Sequence, residues 1–101
     1  LANNKNDLRI QYNIGETYLM EENYTQALSS FKDIEAHWQM MPQIRLRLAQ
    51  CYEKTGSLPA AHNELQLLAH NKHIAPHIRE NATQLLADLN MHYSMQANTM
   101  A

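Results

Sequence analysis

The chain has 101 residues, and its eight Lys and Arg against ten Asp and Glu give a formal net charge of −2 at pH 7. That length suits one domain with an ordinary core and no need of disulfides or metal. The charges are dispersed, so no basic stripe exists to neutralise a phosphate backbone, which excludes nucleic acid as the expected partner. There is no valine, only two Gly and three Pro, and the apolar set is Leu, Ile, Ala and Met, which favours helix over sheet.

In chain order, residues 1–7 form a polar segment that opens at Leu1 without methionine and reads as the start of a fragment or processed product. Asp7 is placed to cap a first helix, whose stripe Ile10, Ile14, Tyr18 steps by four. Glu21, Glu22 and Asn23 interrupt it, with Asn23 as N-cap of a second helix carrying Ala27, Phe31 and Ile34. Pro42 opens a third helix with Ile44, Leu48 and Tyr52, since proline loses nothing at a helix start. Gly56 supplies a left-handed stop and Ser57 caps a fourth helix with Ala61, Leu65 and Leu68. A fifth helix starts at Pro76 and ends near Leu89, followed by a Met-containing tail over 91–101.

A shift of 34 residues lays Ile10 on Ile44, Ile14 on Leu48, Gly15 on Ala49, Tyr18 on Tyr52, Ala27 on Ala61 and Phe31 on Leu65. A second shift lays Pro76 on Pro42, Ile78 on Ile44 and Ala82 on Leu48, and the register then stops. The domain is thus expected over 8–90, as units 8–41 and 42–75 and a closing helix 76–90.

Ile14-Gly15 with Tyr18, then Tyr24, Ala27 and Phe31, resembles the tetratricopeptide signature, and Leu48-Ala49, Tyr52, Gly56, Ala61 and Leu65 repeat it. The resemblance covers residues 8–75. It implies an all-α, tetratricopeptide-type helical-hairpin solenoid of about five helices. Two departures stand out: Glu22 occupies a place where the family usually has glycine, and Trp38 and Gln39 stand where the first unit would end in proline. Gly15 and Ala49 are expected at the hairpin crossings, opposite Ala27 and Ala61, where small residues let the backbones approach. Each hairpin then buries its open face only by stacking on a neighbour.

The resemblance further implies protein binding, in a groove lined by the first helix of each unit. It assigns Arg9, Tyr12, Asn13, Glu16, Leu19 and Met20 there from the first unit. Gln43, Leu46, Arg47, Gln50 and Lys54 follow from the second, and His77, Asn81 and Gln84 from the closing helix. Tyr12, Leu19, Met20 and Leu46 are expected to form an exposed apolar floor, with Arg47 as charged anchor, suited to an amphipathic helix or extended peptide. Family members that grip a peptide carboxylate use Lys and Asn, then Asn, then Lys and Arg. Tyr12 and Glu16, then Arg47, then His77 and Asn81 stand at those places, so the clamp is absent.

A second reading makes the chain a structural or self-assembly module, a homodimer or part of a longer array. Both units are similar in general style to repeats of bacterial envelope and secretion proteins. The outer surface around Ile10 and Tyr12, with Trp38, Met40 and Met41, would then be covered.

No apolar run approaches the ~18 residues of a membrane span, so no direct membrane insertion is expected. Among six histidines, His70, His73 and His77 lie close in sequence, but Pro76 separates them and no thiolate or paired carboxylate completes a site. His70 and His73 suit the end of a helix dipole instead. No nucleophile elbow, phosphate loop or triad occurs, so neither enzyme activity nor cofactor is expected. Cys51 reads as a packing residue. The Asn23-Tyr24-Thr25 and Asn81-Ala82-Thr83 triplets match the glycosylation pattern but fall at or within helices.

Overall fold

The computed structural model describes residues 7–100, with side chains described to residue 91. The polar segment at 1–6 and the side chains of Tyr93, Met95 and Met100 lie outside the described residues. Five α-helices occur in order: α1 (Leu8–Met20), α2 (Tyr24–Asp33), α3 (Gln43–Lys54), α4 (Leu58–Ala69) and α5 (Pro76–Met100), with a 3₁₀ turn (Glu35–His37) between α2 and α3. Among the described residues there is no strand. Helix α5 continues past Leu89, where the sequence predicts its end, because no glycine or proline after Asn90 interrupts it.

The Asp7 side chain accepts the Arg9 backbone N–H at 2.9 Å and so caps α1. The two interhelix turns repeat one hydrogen-bond pattern. In the first, the Asn23 N–H reaches the Tyr18 carbonyl at 2.8 Å and the Glu22 N–H reaches Leu19 at 2.9 Å. In the second, Ser57 reaches Tyr52 at 2.7 Å and Gly56 reaches Glu53 at 3.2 Å. This double closure needs a left-handed residue, and Gly56 (φ 86°) and Glu22 (φ 59°) supply it. Glu22 therefore does the glycine's task with a side chain attached. Asn23 and Ser57 stand at the N-cap positions, but neither side chain makes the expected capping bond. Their ψ angles of 75° and 65° fall short of the extended 122° at Asp7, because each backbone is committed to closing the preceding helix.

Two cores result. The first holds Tyr12, Ala27, Phe31, Ile34, Ile44, Leu48 and Cys51, between α1, α2 and α3. The second holds Leu46, Ala49, Ala61, Leu65, Leu68, Ala82 and Leu89, among α3, α4 and α5, and Tyr52 packs against both. Stacking explains the burial along the first helices. Ile44 and Leu48 are fully buried, whereas Ile10 and Ile14, one unit earlier, are 38% and 40% exposed because no described helix lies on that side.

The small residue at the first crossing faces something other than expected. A Cβ on Gly15 would meet Phe31 Cζ at 2.6 Å and both Cε atoms within 2.9 Å, so glycine is required by the Phe31 ring rather than by Ala27. Ala49 and Leu65 share the second core at the corresponding places. A larger and smaller pair in one hairpin thus replaces the smallest and largest pair in the other.

The connector that lacks proline is fastened by charge. Arg45 lies 4.4 Å from the Trp38 ring centroid, donates from Nη1 to Glu64 Oε2 at 2.8 Å, and lies 3.9 Å from Glu35 Oε2. This joins the 3₁₀ turn to α3 and α4 by cation–π and ionic contact. Burial pushes the Glu64 carboxyl above its ordinary range; Arg45 opposes the shift and Glu35 adds to it.

Candidate binding groove

The face shared by α1, α3 and α5 divides into two unlike halves. Between α1 and α3 a buried ring and an ion pair occupy the face. Tyr12 is buried edge-on against Phe31, with centroids 5.5 Å apart and planes at 66°. Arg47 Nε sits 2.9 Å from Glu16 Oε2, and Arg47 Nη1 donates to Gln50 Oε1 at 2.9 Å. Nε itself makes no hydrogen bond, so the contact with Glu16 is an ion pair only. Burial pushes the Tyr12 phenol above its ordinary pKa, Arg47 pulls it back and Glu16 adds to the rise.

Three expectations are corrected here. Tyr12 and Leu46 belong to the two cores, at 9% and 5% exposure, and form no exposed floor. Each is buried with residues of neighbouring helices, where apolar surface is removed from water more completely than on the open face. Arg47 is no free anchor, since Glu16 and Gln50 hold it.

The remaining predicted residues spread along the same helices. Leu19 is half-buried against the first core and Met20, ending α1, is 85% exposed. Arg9 is exposed, 3.8 Å from Asp7, and Asn13 is exposed as well. Gln43 is half-buried, and His77, Asn81 and Gln84 are exposed on α5. Lys54 is exposed, with its Nζ 6.0 Å from the Tyr24 ring centroid.

Between α3 and α5 the face opens into a cleft of about 120 Å³. Ala49, Ala61, Leu65, Leu85 and Leu89 supply its apolar lining; Gln50, Glu53 and Asp88 complete it. Gln84 steadies one side by donating from Nε2 to Asp88 Oδ1 at 3.1 Å. Of these residues the sequence reading placed only Gln50 and Gln84 on the groove. The signal for the rest lay in the 34-residue shift: Leu65 stands at Phe31's place and Glu53 at Leu19's, which removes the ring that fills the first hairpin and puts a carboxylate where an apolar side chain was.

A family model described as tetratricopeptide repeat matches residues 18–89. The chain belongs to the tetratricopeptide repeat family. No curated protein and no solved structure matches it. Tetratricopeptide repeats are a non-catalytic repeat family whose members are generally protein–protein interaction modules. Among the described residues no group of three or more His, Cys, Asp or Glu is arranged to hold a metal, and no helix is long and apolar enough to cross a membrane. Within this tetratricopeptide fold Cys51 is fully buried, and burial pushes its thiol up to about 11, with Arg47 opposing. It is a packing residue in the first core.

Proposed function

We propose that this tetratricopeptide module holds a peptide or a partner helix along the face of α1, α3 and α5, without a carboxylate clamp. The observation that carries the proposal is the open cleft between α3 and α5, an apolar lining with polar residues at its rim on a face whose other half holds the buried Tyr12 and the Arg47–Glu16 ion pair. Glu16, at a place where clamp-bearing relatives carry Asn, is negative and already paired with Arg47, which disfavours a terminal carboxylate. Gln43, Gln50, His77, Asn81 and Gln84 supply polar edges to such a site. A pull-down comparing the wild-type chain with a Gln50→Arg, Asn81→Arg variant tests it. A specific protein retained by wild type is expected to be lost by the variant. Retention by that variant, with loss on Leu67→Arg instead, would move the site off this face.

A second reading, self-assembly, is favoured by the contrast between exposed Ile10 and Ile14 and buried Ile44 and Leu48. The same register position is covered by a helix in one unit and open in the other, and an open repeat end calls for a cover. Light scattering on wild type and on an Ile10→Lys, Ile14→Lys variant separates the readings. A dimer that dissociates in the variant supports assembly; a wild-type monomer opposes it.

A further inference from the structure

We infer that the α3–α5 cleft receives an apolar side chain from a basic segment of a partner protein, with a Lys or Arg of that segment lying between Glu53 and Asp88. This rests on the groove reading above and names the partner's chemistry.

Shape comes first. The cleft exists because Ala49 and Leu65 together fill less of the crossing than the Phe31 ring fills over Gly15. Its volume of about 120 Å³ equals about four waters at ~30 Å³ each, which suits the end of a Leu, Ile or Met side chain. Burying such a group on the Leu65 and Leu89 lining removes apolar surface from water on both partners.

Charge then selects among apolar segments. Glu53 and Asp88 are both exposed and line the cleft from opposite helices. Neither makes an ion pair among the described residues; Asp88 accepts only the neutral Gln84 amide. The nearby cations are turned elsewhere: Arg47 is held at 2.9 Å by Glu16, and Lys54 is directed to the Tyr24 ring. One unit earlier, Leu19 and Lys54 stand where the cleft has Glu53 and Asp88. The negative rim is therefore confined to the half of the groove that is open. Complementary potential of this kind fixes which partner docks and speeds its encounter.

Two variants separate shape from charge. Ala49→Gly with Leu65→Phe copies the first hairpin's pair into the second and fills the cleft; Glu53→Gln with Asp88→Asn discharges the rim and leaves the shape. Circular dichroism checks that both fold. A random 12-residue peptide library is selected on the wild-type chain, and the consensus peptide is titrated by calorimetry.

The expected consensus has a large apolar residue with Lys or Arg within four positions. Discharging the rim weakens it about two- to thirtyfold, the sum of two exposed ion pairs, and filling the cleft weakens it more than about tenfold. Added salt weakens the wild-type complex and barely affects the discharged one. An acidic or uncharged consensus overturns the inference. So does unchanged affinity in both variants; if binding then falls on substitution of Gln43 or His77, the groove reading survives alone. A library that yields no peptide opposes both. Self-association lost in the discharged variant would assign the cleft to a second copy of the chain, also overturning the inference.

Discussion

Gly15→Ala adds a single methyl group, and the structure fixes where it goes. The new Cβ would lie 2.6, 2.7 and 2.9 Å from Phe31 Cζ, Cε1 and Cε2. Phe31 is fully buried and its ring also carries Tyr12 edge-on, so it has no free direction of retreat. Overpacking of this kind costs about 1–3 kcal/mol, against a gain of about 1 kcal/mol from replacing glycine inside a helix. The expected net effect is a loss of about 1 kcal/mol, or about 4–8 °C in Tm for a domain of this size. Leucine lacks all three of the offending ring atoms. In a Phe31→Leu background the clash vanishes, and Gly15→Ala should be neutral or stabilising by up to about 1 kcal/mol. Urea unfolding of wild type, both single variants and the double variant gives a coupling energy expected at about 1–2 kcal/mol, inside the range for contacting residues. Equal effects of Gly15→Ala in both backgrounds would refute the pairing of Gly15 with the ring.

Three further outcomes follow from local chemistry. Glu22→Gly relieves a left-handed φ of 59° and is expected to stabilise by about 1 kcal/mol; a lowered Tm contradicts the strain. Glu64 has a folded-state pKa raised above its ordinary 4.5, so the folded chain holds the proton more tightly than the unfolded one. Its contribution is complete below 4.5 and is lost as pH rises through the folded value. The stability of wild type relative to Glu64→Gln should therefore fall as pH rises above 4.5, and a difference that rises instead would reverse the sign. Cys51, buried with its thiol pushed up to about 11, should react with an aromatic disulfide reagent at neutral pH only as fast as the chain opens; immediate labelling of the native protein would place it at the surface.

Much of the fold was written locally. Steps of three and four residues placed α1 to α4, Asp7 and Gly56 marked a start and a stop, and the 34-residue register joined the hairpins. Glu22 was legible as a departure from glycine, though its left-handed geometry needed the hydrogen bonds of the turn. The groove was less legible. Periodicity reports which residues share a stripe, and Tyr12 and Leu46 do lie on first helices. It does not report which residues of a stripe a neighbouring helix covers, and that covering put both into the cores.

The sequence by itself therefore determined the helices, their turns and their repeat, because these follow from backbone sterics and from neighbours three or four positions apart. Only the tertiary structure decided that Glu16 pairs with Arg47, that Phe31 fills one crossing while Leu65 leaves a cleft at the next, and that Ile10 and Ile14 stay open where Ile44 and Leu48 are covered. Each of those outcomes depends on whether a second helix lies close enough to exclude water, a condition set by stacking and by side-chain volumes summed across helices far apart in the chain.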